Sequence, residues 1–306
     1  MLIHVLETAL PVFAALAIGM LCRSKQLLSR EGVDALKNVV INFTLPFVLV
    51  NAFATAEYSL AAILLPLTVF AICCIALALG HLIIKLSGMS SRLAPYLASG
   101  FEAGMLGYAL FQLLFPDESI SQFALLDIGQ TLFVFTLFKI LISGKKDMKA
   151  IGRDMLTSPI LWAVFIGVVI GASGLYTAMG KWGVSGILDS VTDFLSAPTG
   201  MIILLAVGYD LVLKEIPWKK TGGLVLMRLA VMAACLGALV LLNRTVLQGM
   251  MFEGAALLMV ILPPPYVIPV FSDEPAERTQ ISSALSAMTL VTMVLFAVCS
   301  VFVNMG

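Results

Sequence analysis

Charge is scarce in this sequence. Of its 306 residues 12% are Asp, Glu, Lys or Arg, about half the ~25% of an ordinary soluble domain. The 18 basic and 18 acidic residues cancel, and no basic tail or stripe offers a surface to nucleic acid. Histidine occurs only as His4 and His81, far apart. The five cysteines (Cys22, Cys73, Cys74, Cys235, Cys299) have neither metal-ligand nor disulfide spacing, and lie in or beside apolar segments where they read as small packing residues. No phosphate-binding loop is present, so ATP is not the direct energy source and no cofactor is expected. The first residues, MLIHVLETALPVFAALAIGML, lack a basic n-region and a small-residue cleavage site. They read as a first helix rather than a signal peptide.

What is abundant is apolar length. The sequence is 60% hydrophobic with a mean hydropathy of +1.06. The apolar runs last about 20 residues instead of alternating over about 10, which selects helices over a barrel in a multi-pass membrane protein. Ten spans are expected, near 2–22, 35–56, 59–86, 93–115, 120–142, 157–175, 185–212, 221–242, 252–271 and 279–303. The 24 glycines suit close helix packing in lipid, where apolar burial gives little drive. Of the 18 Lys and Arg only Lys181 and Arg244 fall in or beside the loops after even-numbered spans. Both termini are therefore expected outside and the polar interval 144–156 in the cytoplasm. Short loops throughout fit a prokaryotic inner membrane.

The chain repeats itself. PVFAALAIG (11–19) in span 1 parallels PILWAVFIG (159–167) in span 6; Pro46 in span 2 parallels Pro198 in span 7; YLASGFEAGMLGY (96–108) in span 4 parallels GAALLMVILPPPY (254–266) in span 9. With five spans in each half, the halves 1–143 and 157–306 must thread the bilayer in opposite directions, the inverted repeat common in secondary transporters. The last pair also explains LPPPYVIPV (262–270). Pro263, Pro264 and Pro265 deny a membrane helix three backbone donors near its middle, and the matching stretch of span 4 carries Gly104 and Gly107. Two breaks at one depth allow spans 4 and 9 to cross, with half-helix ends turned toward a bound solute.

At these residues the chain resembles the auxin efflux carrier family, within the bile acid/arsenite/riboflavin transporter superfamily. The resemblance rests on PVFAALAIGMLCRSKQLLSREGVDALKNVVINFTLPF, FEAGMLGYAL, SPILWAVFIGVVIG, LSAPTGMIILLAVGYDL and LPPPYVIPVF, in that order. It implies a sodium/proton-antiporter-like fold: a scaffold of spans 1, 2, 6 and 7, a moving transport unit of spans 3–5 and 8–10, crossed spans 4 and 9, an elevator-like motion and often a homodimer. Substrates in the family are mostly organic anions. Where the family pattern commonly begins N-x-G-x-x-G, this chain has Glu102; an ionised Glu accepts hydrogen bonds and repels a carboxylate, whereas Asn can donate to one.

Polar residues at membrane depth supply the candidate site. Glu102 leads, because an acid at a helix centre costs about 2.5–3.5 kcal/mol and needs a cavity or a partner. It is read either as a proton- or sodium-coupling group or as a cap on unwound backbone. Asp127 and Gln130, one turn apart on span 5, are a second coupling position or a helix–helix hydrogen bond. Asn42 in span 2 and Asp193 in span 7 face the cleft that the family implies. Tyr108 and Tyr266 follow the two breaks, lining the site or packing beside it. Arg228, near the inner end of span 8, is expected to snorkel to the interface, and Asp210 to be solvated. Together these residues describe a secondary transporter of a small organic solute, with an uncoupled uniporter or channel as the alternative. An intramembrane enzyme or a solute sensor ranks behind both, for lack of metal-ligand and nucleophile clusters at depth and of a signalling domain.

Overall fold

The computed structural model describes residues 2–56, 58, 61–89, 91–143, 153, 156–211, 218–271 and 274–303, and the described residues are helical, with no strand among them. The expected connector 144–156 lies almost wholly outside them. The helices are α1 (Leu2–Ser24), α2 (Arg30–Ala54), α3 (Ala61–Ser87), α4 (Tyr108–Leu114), α5 (Ile120–Ile142), α6 (Pro159–Ala172), α7 (Leu175–Lys181), α8 (Ser185–Asp210), α9 (Trp218–Thr245), α10 (Glu253–Ile261) and α11 (Pro275–Val303).

Six of these, α2, α3, α5, α8, α9 and α11, are long and apolar enough to cross a membrane. They become seven if α6 and α7, bent by 58° at Ser173-Gly174, form one span. Gly174 takes the left-handed conformation (φ 71°) that ends α6, a geometry glycine adopts without strain. Of the three other expected spans, the first corresponds to α1, a continuous helix of 23 residues. Spans 4 and 9 are interrupted, the first between a 3₁₀ turn at Ala94–Ala98 and a π turn at Ala103–Gly107, the second after Ile261.

Local chemistry sets the ends and irregularities. Ser29 caps α2 by accepting the Gly32 N–H, and Ser158 caps α6 by accepting the Leu161 N–H, with Pro159 at the first helical position. Within α2 a π turn at Val40–Thr44 directly precedes Pro46; proline lacks the donor that a regular ladder would send back to the Asn42 carbonyl. In α8, Pro198 separates Ser185–Ser196 from Thr199–Asp210.

Packing is closest where glycine permits it. Helix α1 lies along the second half of α8, and the second half of α2 lies along α6. A Cβ on Gly19 would overlap the Leu205 carbonyl, and one on Gly208 would overlap the Leu16 backbone. On the other pair, a Cβ on Gly167 would sit 2.7 Å from the Phe53 Cβ and 2.9 Å from the Val50 carbonyl oxygen. These helices meet backbone to backbone, the contact that replaces apolar burial as the source of cohesion in lipid. Helix α3 packs on α5, and α9 on α3, α10 and α11.

Gly208→Ala is therefore expected to lower stability by about 1–3 kcal/mol through overpacking. Gly237→Ala, where a Cβ meets nothing within 4 Å, should be neutral or stabilising by up to about 1 kcal/mol through helix propensity. Unfolding midpoints of the two variants in detergent check the opposite signs.

Candidate functional site

The two interrupted segments touch at their breaks. The Glu102 N–H donates to the Pro263 carbonyl at 2.9 Å, and the Tyr266 N–H donates to Glu102 Oε2 at 2.7 Å. Glu102 thus bridges both strands of the crossing, with main chain on one side and carboxylate on the other. The backbone-capping reading of this residue is present in the geometry. Gly100, at φ 66°, lies where a Cβ would come within 3.0 Å of the Pro265 ring and 3.2 Å of Gln130 Oε1. Gly107 likewise leaves room for Phe123 and Leu262.

Each break frees carbonyls, and side chains of neighbouring helices take them up. Gln130 Nε2 donates to Phe101 O at 2.7 Å, and Thr292 Oγ1 donates to Ile261 O at 2.6 Å. The hydroxyl of Tyr108 donates to Asp127 Oδ2 at 2.9 Å, and the hydroxyl of Tyr266 lies 3.0 Å from Thr289 Oγ1. Asp127 and Gln130 on α5 therefore do for the first break what Thr289 and Thr292, at the same three-residue spacing on α11, do for the second. Asp127 also accepts from Thr131 at 3.3 Å.

Arg228 corrects the sequence expectation. It does not snorkel: it is 3% exposed, and its guanidinium points inward. Nη1 donates to Leu97 O at 3.2 Å and Nη2 to Leu262 O at 2.8 Å. One side chain on α9 thus holds carbonyls of both interrupted segments.

Two cavities flank the crossing. One of about 480 Å³ is lined by Glu102, Gly104, Tyr108, Asp127, Gln130 and Pro265, together with Leu45, Leu49 and Lys139. The other, of about 590 Å³, is lined by Glu102, Tyr266, Val267 and Thr289, and at its rim by Arg30, Lys37 and Asp210. Asp210, expected to be solvated, accepts from both Arg30 and Lys37. Glu102 and Val267 belong to both walls.

Not every expected residue is brought here. Asn42 is exposed and turns its amide back onto the Asn38 carbonyl at 2.8 Å. Asp193 is exposed on α8. Neither lines either cavity. Pro264 and Gly107 are buried at the crossing without facing the two cavities, and Pro263 faces only a small void beside Arg228. Sequence reasoning passed over Thr289 and Thr292, although their spacing in span 10 copies that of Asp127 and Gln130 in span 5. It also passed over Lys139.

Several membrane-length helices and two interrupted segments joined at their breaks, with a pair of flanking cavities, define a multi-pass membrane protein. The sequence profile of a family described as membrane transport protein matches residues 4–153. That match spans just under half of the chain and likens its first part to the membrane transport proteins of the auxin efflux carrier family. No curated protein matches it.

If the Thr292 hydroxyl is what satisfies Ile261 O, Thr292→Val should cost about 1–3 kcal/mol by leaving a buried acceptor empty. Thr245→Val, which removes a hydroxyl from an exposed position, should stay within about 0.5 kcal/mol. Thermal unfolding of the two variants against the parent chain checks the difference.

Proposed function

We propose that this protein is a secondary transporter of a small organic anion, working by alternating access around the crossing. The observation that carries the reading is that both cavities meet at Glu102, where the two breaks touch. A solute bound there contacts unwound backbone from both halves of the chain, the usual location for transporter sites. Basic side chains at the rims, Arg30 and Lys37 on one side and Lys139 on the other, favour an anion's approach.

The architecture we propose is ten spans in a 5+5 inverted repeat, 1–143 and 157–306. Two features support it. The helix pairs α1 with α8 and α2 with α6 correspond to spans 1 with 7 and 2 with 6, which exchange under the repeat. The Tyr108–Asp127 and Gln130–Phe101 bonds are mirrored by Tyr266–Thr289 and Thr292–Ile261. Spans 1, 2, 6 and 7 then form the scaffold, while spans 3–5 and 8–10 move as an elevator. With both termini outside an inner membrane, Arg30, Lys37, Asp210 and Lys139 lie on the cytoplasmic side, and the cavities open inward. A homodimer follows from the family resemblance alone.

Coupling is assigned to protons at Glu102 and Asp127, the two acids in the cavity wall. A second reading, sodium, is favoured by Gln130 Oε1, which is buried in the same wall with no hydrogen-bond partner among the described residues. Asp127 and Thr131 oxygens lie on the same helix, and a hard monovalent ion takes oxygen ligands of this kind.

The test is charge movement in proteoliposomes on a solid-supported membrane, with mono- and dicarboxylates, with and without sodium, at two pH values. Replacing Pro263, Pro264 and Pro265 by Ala should abolish the current while the folded protein remains in the membrane; uptake at the parent rate would end the crossing-site reading. Glu102→Gln should remove the pH dependence of net transport yet spare exchange. A current that tracks sodium and ignores pH in both chains would assign coupling to the sodium reading, and one independent of both ions would make the protein a uniporter.

A further inference from the structure

The crossing needs a positive charge. Leu262 closes α10 as its C-cap, so its carbonyl lies at the negative end of a helix dipole. In an unbroken helix Leu262 O would accept from the Tyr266 N–H, but that N–H is committed to Glu102, and Pro265 has none to give. The Leu97 carbonyl stands at the end of the 3₁₀ turn Ala94–Ala98, where the chain becomes extended at Ser99. Two carbonyls from opposite halves of the chain thus converge in an apolar interior. Left alone, they would repel each other and lack donors. In principle a diffusible monovalent cation, a water or a side chain can fill such a gap.

Here the gap is filled by Arg228. Its two terminal nitrogens span the pair at 3.2 and 2.8 Å, and the planar fork of a guanidinium is suited to donate in two directions at once. Among the described residues it forms no salt bridge; its neighbours include Cys73 and Cys235. The counter-charge to this arginine is therefore the carbonyl pair itself, supplied by the two breaks.

We propose that Arg228 is a positioning residue acting as a tethered cation: it permanently occupies the place between the two half-helix ends that a bound monovalent cation could fill, so that the crossing stays assembled without one. The inference concerns the integrity of the crossing and not which solute passes it. Its test reads stability, and it stands or falls separately from the transport reading.

The purified chain is unfolded thermally in detergent in sodium, potassium or choline chloride at equal ionic strength. The parent chain should melt identically in all three. Arg228→Met, which keeps length and apolar bulk, should lower the midpoint by about 5–10 °C, through loss of charge-assisted hydrogen bonds. Arg228→Lys, which keeps the charge but not the fork, should melt between the two. In Arg228→Ala, guanidinium chloride at about 10 mM, far below denaturing levels, should raise the midpoint relative to choline chloride, while the parent chain gains nothing. A side chain that merely fills space would show no such ion-selective rescue. Arg228→Met melting with the parent chain would overturn the proposal, and so would Arg228→Ala indifferent to guanidinium. Should Arg228→Ala not fold, the other pair decides: Lys above Met sustains it, Met equal to or above Lys overturns it.

Discussion

An N–H or C=O exposed to hydrocarbon costs several kcal/mol, so a membrane helix is broken only where something else accepts its orphaned groups. The structure can be read as the solution to that demand at two places at once. The prolines at 263–265 remove donors from one segment, and Gly100 lets the other turn. The consequences spread outward through named side chains. Gln130 serves Phe101, Thr292 serves Ile261, Arg228 serves Leu97 and Leu262, and the Glu102 N–H serves Pro263. Four helices are held in register by bonds whose purpose is to keep two breaks affordable. The crossing is at once a break in the secondary structure and a meeting point of side-chain hydrogen bonds from several helices.

The two halves solve the same problem with different chemistry. Around the first break the supporting helix offers a carboxylate and an amide, Asp127 and Gln130. Around the second it offers two hydroxyls, Thr289 and Thr292. A hydroxyl completes a bond and adds no charge, whereas a carboxylate can exchange a proton. Geometric equivalence is thereby combined with electrostatic inequivalence: the 480 Å³ cavity has the Asp127 carboxyl in its wall, while its neighbour has the Thr289 hydroxyl at the equivalent place and is also lined by the Arg30–Asp210–Lys37 cluster, Glu102 being shared.

Much of this was legible in the sequence, because apolar length and proline position are local signals. The breaks, the paired tyrosines and the alignment of Asp127 with Gln130 follow from spacing along one helix. The failures come from geometry that spacing does not encode. The π turn at Val40–Thr44 adds a residue to the helical register, so the azimuth of Asn42 cannot be taken from a regular wheel, and the residue ends exposed and lines neither cavity. The interruption at Pro198 does the same between Asp193 and the half of α8 that packs against α1. Arg228 was misread for another reason. A long cationic side chain can reach the interface or the interior, and the carbonyls that draw it inward belong to residues 131 and 34 positions away. Only the assembled crossing reveals them. The ten-span count rests on hydropathy, in which a broken span scores like an intact one; among the described residues six helices pass as continuous apolar spans, or seven with the bent α6–α7 pair.

The glycine contacts between α1 and α8 and between α2 and α6 have a mechanical meaning. Where two backbones interlock with no intervening side chains, a shift of even one residue drives a Cβ into the opposing main chain, as the overlaps at Gly19 and Gly208 make plain. Such pairs can turn together but cannot shear. The glycines thus act as keys in keyways, forbidding slip along two helix pairs.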